Sequence, residues 1–151
     1  MTRIVPFLAP LLMLAACSKP APPPPVEVPI LEFRDAWARA TAAGQTSGAM
    51  YVTIVNRGGA DDRLVGVTAS RAGMAMVHTT ENLDGVARMR MVGALPIPAN
   101  AKVALSPGGT HIMLDGMKEP LVVGERIDLT LRFEKSGSKT VSVIVNAPAA
   151  R

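Results

Sequence analysis

The stretch Arg126–Phe133, with the sequence RIDLTLRF, decides the fold. Apolar side chains occupy every second position, and the positions between them are polar or charged: the apolar set is Ile127, Leu129, Leu131 and Phe133. This period of two is typical of a β-strand that buries one face and exposes the other. The sequence therefore predicts a half-buried strand here.

Similar segments occur on both sides of this stretch, separated by turn signals such as Asp84-Gly85 and Ser136-Gly137. They are short and rich in Val, Ile, Thr and Leu, and no long segment keeps a helical period. We predict eight or nine short strands and an all-β, antiparallel β-sandwich. The strands are Phe33–Ala40, Ala49–Val55, Leu64–Ala69, Ala75–Thr80, Val86–Val92, Lys102–Leu105, His111–Leu114, Arg126–Phe133 and Thr140–Val145.

The first 16 residues have the pattern of an export signal, with one positive charge followed by a short apolar run. The run is too short to span a bilayer, which needs about 20 residues. It ends Leu-Ala-Ala before Cys17, which resembles a bacterial lipobox, in which the cysteine is lipidated after cleavage. The alternative is an ordinary secretory signal with a cysteine nearby. We predict a lipid anchor at Cys17 and a location in the periplasm, on the cell membrane or the outer membrane.

Residues 17–30 are rich in proline, a composition that favours an extended, semi-rigid spacer. A ligand for a proline-recognition domain is the alternative. In an exported lipoprotein we favour the spacer, so the folded domain is predicted to cover residues 31–151.

The composition excludes several classes of protein. A single cysteine rules out an intramolecular disulfide framework, a four-thiolate zinc site and a CxxC redox pair. The net charge of +4 is scattered and only 3% of residues are aromatic, so nucleic-acid binding is not expected. Nine methionines against one cysteine is the unusual ratio, and it requires an explanation.

Both histidines and six of the nine methionines lie between residues 74 and 117. Strand residues two apart point to the same face, about 6.6 Å from one another. Three such same-face pairs are predicted: Met76 with His78, Met89 with Met91, and His111 with Met113.

Thioethers and imidazoles are soft to borderline neutral ligands, and they favour Cu(I) over hard cations. A thioether also cannot form a disulfide in an oxidising compartment. The alternative is that strand methionines fill the core. We favour that role for Met50 and Met74, and we leave it open for Met76, Met91 and Met117.

The order His78, ten residues, Met89, 21 residues, His111, one residue, Met113 resembles the motif of the periplasmic copper(I) chaperones called PCuAC. The flanking segments Pro107–Leu114 and Phe133–Gly137 are similar as well, and the resemblance extends from about residue 33 to residue 145. It implies a cupredoxin-like (immunoglobulin-like) β-sandwich that binds one Cu(I) ion through those four side chains. Met76 and Met91 are possible secondary contacts. Pro107, Gly108 and Gly109 would shape the turn before His111.

The resemblance also implies a role in supplying copper to subunit II of cytochrome c oxidase, together with Sco-type copper proteins. Two features depart from the family. The lipobox predicts a tethered form, and the C-terminus lacks the His- and Met-rich tail of some relatives, so a second copper site is not expected.

Competing functions differ in what they require. A blue-copper electron carrier needs a cysteine ligand inside the domain, and Cys17 lies outside it. A copper-sequestering or resistance lipoprotein would use the same site without delivery, and a β-sandwich scaffold would bind no metal. An enzyme is not expected, because Asp61, Asp62 and Glu125 are interpreted as solvated loop charges and Ser106 as structural.

Overall fold

The computed structural model describes residues 27–83 and 85–147, with the backbone alone at residues 82 and 83. The segment 1–16, Cys17 and most of the proline-rich stretch therefore lie outside the described residues. Ten strands are present: β1 (Leu31–Arg39), β2 (Gly48–Asn56), β3 (Asp62–Ala69), β4 (Met74–Leu83), β5 (Val86–Met91), β6 (Leu95–Ile97), β7 (Lys102–Leu105), β8 (His111–Asp115), β9 (Arg126–Phe133) and β10 (Gly137–Asn146). In this part of the chain, no helix has the length and apolarity needed to cross a membrane.

The strands form one continuous hydrogen-bonded sheet in the order β5-β4-β8-β2-β1-β10-β9-β3-β6, and β7 pairs with β2 beside β8. The sheet folds over, because β3 also packs against β4 without a hydrogen-bonded ladder between them. The predicted all-β class is confirmed. One feature differs from an all-antiparallel arrangement: β1 and β10 pair in parallel, which joins the two ends of the domain.

The core lies between the folded halves of the sheet. Along β9, the alternation predicted from the sequence is confirmed, because its four apolar residues are at most 3% exposed. All nine predicted strands are present. β6 was not predicted, since it has only three residues and Pro96 stands in its middle.

Methionines divide between the core and the surface. Met50 and Met117 are buried, at 0% and 3% exposed, so the core role is confirmed for Met50 and settled for Met117. The core role predicted for Met74 is wrong, because its side chain is 58% exposed at the start of β4. Met74 lies on the solvent face of its strand, two residues from Met76.

Asp62 is not the solvated charge that the sequence suggested, because it is only 1% exposed. Its two carboxylate oxygens accept hydrogen bonds from the backbone N–H groups of Arg63, Lys135 and Ser136 and from the Ser136 hydroxyl. Burial raises the pKa of Asp62, but the hydrogen bonds from Ser136, Lys135 and Arg63 outweigh it and leave the pKa below its ordinary value. The carboxylate ties the start of β3 to the β9–β10 turn. Glu125, also interpreted as solvated, is partly buried and pairs with Arg71 at 2.7 Å.

Asn56, at the end of β2, is the second buried polar residue among those that the structure describes. Its side-chain oxygen accepts hydrogen bonds from the N–H groups of Ile30 and Gly58, and its amide nitrogen donates to the carbonyls of Ala60 and Ile97. A Cβ atom on Gly58 would lie 2.0 Å from the carbonyl oxygen of Val28, so only glycine fits there. These contacts hold the segment before β1 against the β2–β3 loop.

Candidate metal centre

Three neighbouring strands, β5, β4 and β8, bring the predicted ligands together. On one side of β4, His78 is paired with His111 and Met76 with Met113. On its other side, His78 is paired with Met91 and Thr80 with Met89. Directly paired residues of adjacent strands project from the same face of a sheet. All six sequence-predicted His and Met residues therefore share one face.

We call this set, His78, His111, Met76, Met89, Met91 and Met113, the His/Met face. His78 lies at its centre, with His111 on one neighbouring strand and Met91 on the other. Met113 and Met89 lie at opposite diagonals of His78. The residues between them on β4 and β8, namely Val77, Ile112 and Leu114, are buried in the core. The His/Met face is therefore the outer face of the sheet.

The two imidazole rings have centroids 6.2 Å apart and are inclined at 77°. A metal bonded to a ring nitrogen at about 2.0–2.1 Å lies roughly 3 Å from the ring centre, so two rings that share an ion are up to about 6 Å apart. The observed separation is at the wide end of this range. The separation of the rings is therefore compatible with one shared ion.

The ring of His111 is oriented by its own turn. Its Nδ1 lies 3.0 Å from the carbonyl oxygen of Gly109, which can only accept, so Nδ1 carries the proton and the lone pair is on Nε2. A backbone carbonyl of this kind commonly fixes the tautomer of a metal-binding histidine. The turn closes with a hydrogen bond from the N–H of Ser106 to the carbonyl of Thr110. Within it Gly108 has a φ of 79°, which favours glycine.

The ring of His78 differs from that of His111 in its hydrogen bonding. Its Nδ1 is buried and finds no hydrogen-bond partner among the described residues. A buried polar atom without a partner costs free energy. A bond to a metal ion would satisfy that atom, so this ring fits a ligand role.

The thioethers differ in exposure. Met76 and Met113 are partly buried, whereas Met89 and Met91 are 62% and 65% exposed on the edge strand β5. The ion pair of the hairpin, Arg90 with Glu81, belongs to positions that point to the opposite face. All six members of the His/Met face are uncharged when the imidazoles are neutral.

No group of three His, Cys, Asp or Glu side chains able to hold a metal occurs within the described ranges. Apart from His111, the residue paired directly with His78 is a methionine, Met91.

Two aromatic residues, expected from the sequence to belong to the core, lie instead beside this face. Tyr51 is 5% exposed but lies outside the core cluster, and its ring centroid is 4.5 Å from that of Trp37. Because Met50 pairs with Ile112, Tyr51 lies next to the start of β8, where His111 stands. Only the pairing of distant strands reveals this proximity, so no local sequence pattern could have found it.

An all-β sheet with two imidazoles and four thioethers on one outer face defines a cupredoxin-like domain with a soft-ligand cluster. The chain belongs to the LpqE-like lipoprotein family, whose description is "Putative lipoprotein LpqE-like" and whose family model matches residues 31–145. A relative in Leifsonia xyli subsp. xyli, "Putative lipoprotein Lxx21020", is 35% identical over 116 residues, which are 76% of this chain and 69% of that protein.

Solved structures agree with this assignment. The copper-bound PCuAC domain from PmoF2 is 28% identical, with a TM-score of 0.66 over 82% of this chain and 99% of that domain. The solution structure of CuI-DR1885 from Deinococcus radiodurans is 35% identical, with a TM-score of 0.56 over 74% of each chain. The resemblance to PCuAC domains seen in the sequence is confirmed.

Proposed function

We propose that this protein is a copper chaperone of the cell envelope that binds one Cu(I) ion through His78, Met89, His111 and Met113. One observation carries the proposal: two histidines are paired on adjacent strands among thioethers of one sheet face. His111 has its Nε2 lone pair available, and His78 has a buried nitrogen without a partner among the described residues. The similarity to a copper-bound PCuAC domain and to CuI-DR1885 supports the same metal.

The donor set favours Cu(I) on chemical grounds. Neutral sulfur and nitrogen donors match a soft monovalent ion, whereas zinc sites typically add thiolates or carboxylates. Four neutral ligands leave the single positive charge of the ion uncompensated. Anionic thiolates of an acceptor protein would therefore bind it more strongly, which favours transfer away from the chaperone.

The exposure of Met89 also supports transfer of the ion to an acceptor. Met89 lies on an edge strand and is 62% exposed, so an acceptor ligand can approach the ion from solvent and replace this thioether first. Met113 and both histidines are partly buried and hold the ion meanwhile. A metal carrier needs such a stepwise exchange of ligands. Metal binding alone accounts for the residues of the site, without a catalytic role.

Anaerobic titration of residues 27–151 with Cu(I) against a competing chelator tests the site. His111→Ala and Met113→Ala are expected to weaken binding strongly, because each removes a ligand. Met74→Ala is the matched control, since this exposed methionine is on the same face but outside the proposed set. Equal Cu(I) affinities of the three variants and the wild type would contradict the assignment of His111 and Met113 as ligands.

The second part of the proposal is that the protein delivers its copper ion to an acceptor protein. The signal segment 1–16, lipidation at Cys17 and the spacer 17–30 would hold the domain 31–151 in the periplasm near a membrane, where subunit II of cytochrome c oxidase and Sco-type proteins are the expected partners. A deletion strain grown at low copper should lose oxidase activity. Sensitivity confined to high copper would instead favour the sequestering lipoprotein.

A further inference from the structure

Two thioethers of the His/Met face remain outside the proposed ligand set. Met91 is the direct cross-strand neighbour of His78, whereas Met89 is paired with Thr80 and reaches His78 only diagonally. Directly opposed Cβ atoms are about 4.5–5.5 Å apart, and diagonal neighbours about 7–8 Å. By register, the sulfur of Met91 is therefore at least as well placed toward His78 as that of Met89.

Met76 and Met91 also share a cavity. It has a volume of about 160 Å³ and lies between the β4–β5 hairpin and residues 64–67 of β3. His111 and Met113 lie on the opposite side of His78, toward β8. His78 thus has a methionine on each neighbouring strand, Met91 on β5 and Met113 on β8.

No hydrogen bond to Nδ1 fixes the orientation of the His78 ring among the described residues. His111 has its proton fixed by the Gly109 carbonyl, but Nδ1 of His78 has no partner among the described residues. Its tautomer is therefore not set by a hydrogen bond. Met91 is 65% exposed and has three rotatable side-chain bonds, so its sulfur can approach an ion at His78 without a change in the backbone.

We propose that Met91 is an alternative thioether ligand that exchanges with Met89 on an ion held at His78, with Met76 as the adjacent thioether on β4. This inference rests on the proposed function. In the exchange, the bond between copper and the Met89 sulfur breaks as the bond to the Met91 sulfur forms, and no proton or electron is transferred. The ion keeps its number of ligands when Met89 is displaced, so the exposed edge can open to an acceptor without loss of copper to solvent.

A double-mutant cycle tests the exchange. Met89→Leu, Met91→Leu and the double variant are compared by anaerobic Cu(I) competition, with Met74→Leu as the control for removing an exposed thioether from the same face. Each single variant is expected to lose less than about tenfold in affinity, because the other sulfur replaces the missing one. The double variant is expected to lose about tenfold more than the product of the single effects.

Two outcomes would overturn the inference. If the single effects multiply to give the double effect, Met91 does not exchange with Met89. If Met91→Leu binds like Met74→Leu in both backgrounds, Met91 is not a ligand. Both exchanged residues are exposed, so the variants should fold, and circular dichroism checks this. If the wild type itself fails to bind Cu(I), the proposed function fails instead, and the two failures are therefore distinguishable.

Discussion

Replacing Asp62 with asparagine is expected to destabilise the domain although the residue lies outside the His/Met face. The wild-type carboxylate accepts four hydrogen bonds, at 2.6–2.9 Å, from Arg63, Lys135 and Ser136. Asparagine keeps one acceptor oxygen and introduces an NH₂ group in place of the other. The substituted side chain is nearly the same size, so packing is preserved and the effect is polar.

The size of the effect follows from these bonds. A hydrogen bond to a charged group contributes about 1.5–3 kcal/mol, and a buried donor left without an acceptor costs about 1–3 kcal/mol. If the new NH₂ group faces Ser136, the Ser136 N–H loses its acceptor while the Ser136 hydroxyl can reorient to accept. We expect a loss of about 2–4 kcal/mol in the free energy of unfolding near neutral pH.

The pH dependence has a definite sign. The native pKa of Asp62 is lower than its ordinary value, so the carboxylate contributes stability that is fully present above the unfolded pKa of about 3.9. That contribution is lost as the pH falls through the native pKa. The difference in stability between the wild type and Asp62→Asn should therefore narrow in acid.

Urea denaturation at about pH 7 and at about pH 3 measures both effects. Asp61→Asn is the matched control, because Asp61 is exposed and accepts a single hydrogen bond, from the N–H of Ala99. We expect that variant to change stability by less than about 0.5 kcal/mol. Equal effects of the two substitutions at neutral pH, or a gap that stays constant in acid, would refute the reasoning.

Three further predictions concern the turns and the site. Gly108→Ala and Gly137→Ala both replace a turn glycine at positive φ, and each should lower the free energy of unfolding by about 1–2 kcal/mol in urea denaturation. Only Gly108→Ala should also weaken Cu(I) binding, because it distorts the turn before His111. Equal Cu(I) affinities of the two variants would contradict this prediction. Asn56→Ala should lower the free energy of unfolding by about 2–4 kcal/mol, since it removes four hydrogen bonds in a buried position. A thermal midpoint equal to that of the wild type would contradict this prediction. Protons should compete with Cu(I) for the site, because a protonated imidazole cannot bind metal. A chelator-competition affinity that does not fall on acidification would argue against histidine ligands.

The strands could be predicted because burial of one face leaves a period of two in the sequence. That signal is strong in β9 and absent in β6, where three residues around Pro96 are too few to show it. The parallel pairing of β1 with β10 could not be predicted, since it joins segments about 100 residues apart and no local pattern specifies a partner. The burial of Asp62 has the same origin, because its hydrogen-bond donors lie mostly in the distant β9–β10 turn.

For the candidate site, spacing along each strand predicted which residues share a face, and the structure brings all six together. What spacing could not supply is the register between strands. The pairing of His78 with both His111 and Met91 depends on how β4 aligns with β8 and β5. The unpartnered Nδ1 of His78 and the bond from His111 to Gly109 likewise appear only in three dimensions.

The arrangement of the face separates metal binding from folding. On β4 and β8 the members of the His/Met face alternate with Val77, Ile112 and Leu114, which belong to the core. The core is therefore complete without the outer side chains, unlike a small zinc domain, in which metal binding supplies the folding free energy. Copper should stabilise this domain only by mass action, in proportion to its affinity and concentration. Because the core packs without these outer side chains, we expect the ion to leave without unfolding the protein, as the proposed carrier role requires.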